Sequence, residues 1–279
     1  MKNMFRLMMV CCLVSGASYA QLKTPAPSPT QTVKQDFALS SVELSYSRPA
    51  VKGRKVFGDL VPYGKVWRTG ANRATTITFG EDVMFGGKNV PAGKYGLLTI
   101  PGASEWTVIL SKQLDVTAPA AYKEDMDVAR VKAKPMKMPM TVESFTIGFD
   151  DVKSGSMKLY LLWDKTYVEV PVTADIDSKV MAQINEQMNG DSEKKPYFPA
   201  AMYYLENGKD LNQALAWFDK AVEENPDAFY MHHHRARCLA KLGKKQEALA
   251  TAQKSIELSK KAKSDDYVAL NEKLIASLK

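Results

Sequence analysis

A chain of 279 residues, 45% hydrophobic and 25% charged, has an ordinary globular composition and the length for two domains. Its formal charge of +7 is spread over both halves, neither of which is strongly basic, and this argues against nucleic acid as a partner. No stretch reaches the apolar length that a spanning helix requires, so no transmembrane segment is expected.

Residues 1–20 read as a signal peptide. Lys2 and Arg6 form a basic start, residues 7–14 a short apolar run, and Ser18-Tyr19-Ala20 places small residues where a peptidase reads. The expectation is export to the periplasm or cell surface after cleavage near Ala20. A lipid anchor through Cys11 or Cys12 fits less well, because Met8, Met9 and Val10 precede them in place of small residues. Cleavage removes two of 38 basic residues and no acid, leaving 36 against 31 and a charge of +5. It also leaves Cys238 alone, so packed cores rather than disulfides must stabilise the fold.

Residues 21–35, rich in Pro, Ser and Thr, read as an extended, mobile tether. From Phe37 the pattern has period two: Val42, Leu44 and Tyr46 alternate with polar neighbours. An irregular loop over 56–73 follows, with Gly58, Gly64 and Gly70, Pro62 and two aromatics. Short strands are then expected at 75–79, 83–85, 95–100, 106–110, 128–134, 143–149, 157–163 and 167–172. Gly86-Gly87, Pro91-Ala-Gly93, Pro101-Gly102 and Asp164-Lys165 read as the turns. Residues 114–127 are less regular and read as a loop or one short helix. Roughly nine strands in some 140 residues predict an antiparallel β-sandwich over 36–175.

At Asp177-Ser178 the period becomes helical, with either residue a plausible cap. Ala214, Phe218, Ala221 and Pro226 fit the second helix of a tetratricopeptide repeat. A shift of 34 residues gives Ala248, Ala252, Ser255 and Lys260. The tail, 178–279, therefore resembles two degenerate repeats flanked by helices at 179–189 and 265–278, a small α-helical domain. Such helix pairs present surfaces to peptides or proteins, which makes the tail the expected protein-contact surface.

Several runs in the first domain carry a resemblance: Tyr46-Ser-Arg-Pro49, Val51-Lys-Gly-Arg-Lys-Val-Phe-Gly58, Trp67-Arg-Thr-Gly-Ala-Asn72, Pro91-Ala-Gly-Lys-Tyr95 and Ile100-Pro-Gly102. Over about residues 36–175 the chain resembles an exported bacterial family known as domain of unknown function 2911. The resemblance implies a secreted β domain with no established activity and no cofactor.

The candidate ligand residues lie in the loop: Tyr63, Trp67, Arg68, Asn72 and Arg73. Flat aromatics beside planar hydrogen-bonding groups suit a small carbohydrate or a carboxylate. The architectural alternative has Trp67 in the core, Arg68 paired with an acid, and Asn72 capping a turn. Catalysis has thinner support, because the β domain holds no histidine; Asp59, Glu81 and Asp82 could supply a carboxylate pair, but Glu81-Asp82 reads more simply as a hairpin tip. Enzyme activity is left undecided, leaning against, with no catalytic residues assigned.

Two further runs invite a metal. His232-His-His234 sits on one helix, where successive side chains diverge by about 100°. Met136, Met138 and Met140 offer thioethers for Cu(I), though gap-filling by methionine is the commoner use. No metal or cofactor is assigned. The leading expectation is a non-catalytic binding or scaffolding protein, and the alternative is carbohydrate or carboxylate binding at 63–73, with or without hydrolysis.

Overall fold

A computed structural model describes residues 24–279, and the expected signal peptide lies outside the described residues. The chain divides into two compact units, one ending at Ala174 and the other running Asp175–Lys279.

Among the described residues, the first unit contains ten strands in two open antiparallel sheets: β1 Thr30–Phe37, β2 Ser40–Ser47, β3 Thr76–Phe79, β4 Val83–Phe85, β5 Lys88–Val90, β6 Gly93–Ile100, β7 Trp106–Ser111, β8 Asp127–Ala133, β9 Met136–Asp150 and β10 Ser156–Thr173. One sheet has the order β1-β2-β3-β6-β7-β8 and the other β5-β4-β10-β9. Alternation drives the packing. Leu44, Ile77, Leu97 and Val108 of the first sheet join Phe85, Ile147, Leu159 and Val170 of the second in one buried cluster.

Three expectations need correction. The tether is shorter than expected, because Thr30–Phe37 pairs with β2 along its whole length, from Thr30 opposite Ser47 to Phe37 opposite Ser40. Only Val33 and Phe37 on β1 are aliphatic or aromatic, so the strand carries little apolar signal. Asp164-Lys165 is not a turn. Asp164 takes φ +51°, the register against β9 shifts on both sides of it, and β10 runs on to pair Val172 with Phe85. Neither Asp177 nor Ser178 caps the first helix from outside, since Asp177 is its first residue; Asp175 accepts hydrogen bonds from the Ser178 amide and hydroxyl.

Residues 112–126 form a strap across the outer face of the six-stranded sheet, with two single-turn 3₁₀ segments at Pro119–Ala121 and Glu124–Met126. Val116 on the strap, with Leu98 and Ile109 on the sheet, makes a second small core joined by Val66, Ile100 and Tyr122. The strap is pinned at its far end. The Tyr122 hydroxyl donates to Asp127 Oδ2, which also takes Arg130 Nη1 at 2.8 Å. Burial and that carboxylate push the Tyr122 phenol well above its ordinary pKa. At Gly96 the strap crosses so closely that a Cβ would lie 2.1 Å from the Gln113 carbonyl oxygen. Gly96→Ala is therefore expected to displace the strap and cost about 1–3 kcal/mol, readable by urea unfolding.

The second unit has six helices: α1 Asp177–Asn189, α2 Tyr197–Glu206, α3 Leu211–Glu224, α4 Phe229–Lys241, α5 Lys245–Lys261 and α6 Asp265–Ser277. From α2 onward each helix packs on the next. Asp210 caps α3, accepting from the amides of Asn212 and Gln213. Ala201, Leu205, Ala214, Phe218, Cys238, Leu239 and Ala248 form its core, so Cys238 serves as a small buried apolar residue. Among the described residues, no helix is long and apolar enough to cross a membrane.

Candidate functional site

The loop between β2 and β3 is held by backbone geometry rather than by regular pairing. Thr69, Gly70 and Asn72 take positive φ values of +57°, +153° and +57°. Gly70 is required on two counts, because a Cβ there would also lie 2.9 Å from the Ser47 carbonyl oxygen. Thr69 is buried and donates to Thr99 Oγ1, while Thr75 Oγ1 donates to the Thr69 carbonyl at 2.6 Å. Trp67 makes a two-way backbone bridge with Thr99, at 2.7 and 3.0 Å. The loop is thus sewn to β6.

Trp67 is half-buried. Its ring stacks on Trp163 at 5.8 Å and 15° and meets Phe145 at 5.0 Å. The indole N–H donates to the Gly70 carbonyl at 3.1 Å. These contacts place the ring against the core, as the architectural alternative expected. Yet Trp67 also lines a cavity of about 420 Å³ between residues 54–71 and strap residues 116–119. That volume falls in the range of about 300–1,000 Å³ seen for small-molecule sites.

Arg68 lines the same cavity and is not paired with an acid. Its Nη1 donates to the Thr117 carbonyl on the strap, and its Nε–H is buried without a hydrogen-bond partner. Arg54 and Lys65 add two further positive charges to the wall, while no Asp, Glu, His or Cys lines the cavity among the described residues. Arg54 is fixed by its own turn, donating to the Ala50 and Val51 carbonyls. Leu60, Pro62, Val66, Val116 and Pro119 supply apolar surface. The result is a cationic, half-apolar cleft.

The other loop candidates lie elsewhere. Tyr63 is 45% exposed, with its ring over Gly58, where a Cβ would come within 2.7 Å of it. Asn72 turns back to donate to the Ser28 carbonyl at 2.9 Å, fastening the segment ahead of β1. Arg73 lines a separate polar groove on the outer face of the six-stranded sheet, with Glu43 and Lys94. Of five residues, the structure brings two together at the cavity.

Arg54, Lys65, Trp163 and the 116–119 wall were missed by sequence reasoning. Arg54 and Lys65 stand inside runs already singled out, but nothing in their spacing aims them at a common point. Glu81 and Asp82 accept backbone N–H bonds from Leu39 and Ala92, so neither carboxylate belongs to this site. His232, His233 and His234 diverge, bonding the Pro226 carbonyl, Asn271 Oδ1 and Arg237 Nη1 respectively. Among the described residues, no group of three His, Cys, Asp or Glu converges as metal ligands would. Met136 and Met140, 43% and 64% exposed, do not fill core gaps.

A family model described as a protein of unknown function, DUF2911, matches residues 28–172. The chain belongs to this family. The match runs from just ahead of β1 to Val172 near the end of β10, and it includes every residue of the cavity. Comparison with curated proteins and with solved structures gave no match.

Proposed function

We propose that the family domain is a non-catalytic binding module whose cavity takes a small anionic ligand. The observation that carries this reading is the charge of the wall: Arg54, Lys65 and Arg68 face one cleft that contains no acid. Three unneutralised cations around a half-apolar space are unfavourable unless solvent or an anion compensates them, and a planar guanidinium suits a carboxylate. The absence of a carboxylate, imidazole or thiol from the lining, among the described residues, favours binding over hydrolysis. A neutral carbohydrate suits this wall less well, because the Asn72 amide is already committed to Ser28. The leader read in residues 1–20 places the module outside the cytoplasm in this reading. A protein-contact role for the helical unit has no comparable observation behind it.

Calorimetric titration with carboxylates, phosphate and neutral sugars tests the proposal. The expected result is one site per chain for an anion, with affinity falling as ionic strength rises. Arg68→Ala is expected to weaken it roughly 10- to 100-fold, the usual worth of a hydrogen bond to a charged group. Binding of neutral sugars with no preference for anions contradicts it.

A further inference from the structure

Resting on that anion-binding reading, we propose that the ligand is a small monocarboxylate with a flat, apolar body. Its carboxylate meets Arg68 and Lys65, and its body lies between Trp67 and Pro119.

The division of the wall carries this. Charge is confined to Arg54, Lys65 and Arg68, and of these Arg54 is partly spent on the Ala50 and Val51 carbonyls. Arg68 has one N–H on the Thr117 carbonyl and a second, Nε–H, buried without a partner. Two cations, the Lys65 ammonium and the outer guanidinium nitrogens of Arg68, suit one carboxylate group. They are a thin shell for a phosphate dianion, whose desolvation demands more donors than the site presents.

The remaining surface is aromatic and aliphatic. Trp67 is fixed in orientation by its stack on Trp163, its indole bond to Gly70 and its bridge to Thr99, so it offers a rigid flat wall. Pro119, exposed on the strap, lines the same cleft, while Val116 is packed beneath it against Leu98 and Ile109. Among the described residues, the only side-chain hydroxyls in the lining are those of Ser28 and Thr117. A sugar acid would bury several hydroxyl groups against them with few partners, whereas a ring without hydroxyls loses nothing there. The volume, near the small end of ligand sites, fits one or two fused rings.

Four probes separate the alternatives in calorimetric titrations of the full chain: benzoate, benzyl alcohol, glucuronate and inorganic phosphate. The expected order has benzoate tightest, with benzyl alcohol at least about tenfold weaker because it lacks the charge. Lys65→Glu, at an exposed position, should weaken benzoate several-fold without disturbing the fold, and it stands as a check should Arg68→Ala loosen the strap. If glucuronate or phosphate binds and benzoate does not, the ligand class is overturned while the anion-binding reading survives. If benzyl alcohol equals benzoate, the carboxylate contact is wrong. If none of the three anions binds, both the class and the anion-binding reading fall.

Discussion

Replacing Trp163 by alanine is expected to destabilise the β unit by about 3–5 kcal/mol. Trp163 is 2% exposed and sits at the centre of an aromatic group. Trp67 stacks on it at 5.8 Å, Phe145 lies at 5.5 Å, and Phe57 approaches edge-on at 6.1 Å and 90°. Removing the indole leaves a cavity that these three rings cannot all close, because Trp67 is tied by backbone bonds to Thr99. Trp163→Phe should cost much less. Its lost N–H leaves the Glu143 carbonyl still bonded to the Val51 amide, so no buried acceptor is orphaned. Urea unfolding followed by near-ultraviolet circular dichroism reads both variants. A loss below about 1 kcal/mol for the alanine variant would contradict this packing account. The same substitution removes the ring on which Trp67 is stacked beside the cleft, so ligand affinity and stability should fall together.

The helical unit is expected to lose stability as pH falls from about 6.5 to about 4. His233 is 5% exposed, with Nδ1 bonded to Asn271 Oδ1 at 2.9 Å; Asn271 in turn donates to Ser255 Oγ at 2.8 Å. Burial lowers the His233 pKa. His234, whose ring lies 5.1 Å away, is pushed down to about 4, by burial first and then by His233 and Arg237. Glu206 works weakly in the other direction on His234. The sign follows from proton linkage. In the unfolded chain both imidazoles titrate near 6.5, so below that pH the unfolded state binds protons that the folded state refuses. Stability is therefore complete above about pH 6.5 and declines until the folded pKa is reached. Asp177, whose pKa is lowered by hydrogen bonds from Lys209 and Tyr203, adds its own loss only at lower pH. Far-ultraviolet circular dichroism during urea unfolding at pH 7.5, 5.5 and 4.5 measures the effect. His234→Phe should flatten the profile, and an unchanged slope in that variant would show that another group is responsible.

Much of the fold was legible because strands and helices write their period into the chain. The strands at 83–85, 95–100 and 106–110 could be read from alternation and glycine punctuation, and α3 and α5 from the spacing of Ala214, Phe218, Ala221, Ala248 and Ala252. β1 was not, because one of its faces is solvated and its apolar residues number only two. Asp164 misled for a physical reason: a short polar residue at positive φ serves a turn or a bulge equally well, and long-range pairing decides between them. The loop at 56–73 could be singled out, and Trp67 and Arg68 within it do reach the cleft. The departure of Tyr63, Asn72 and Arg73 could not be foreseen. Without periodicity, the direction of each side chain depends on individual φ values at Thr69, Gly70 and Asn72. The opposite wall comes from residues some 50 positions further along the chain, a juxtaposition created by the strap's packing on the sheet at Gly96, Leu98 and Ile109.

The anion-binding cleft is tested most directly by a crystal structure of the protein soaked with 4-bromobenzoate, whose bromine gives an anomalous signal. The account expects one bromine peak beside Trp67 and Pro119, with the carboxylate within hydrogen-bond distance of Arg68 or Lys65. Bromine peaks only at other surfaces, with the cleft between 54–71 and 116–119 unchanged, would contradict it.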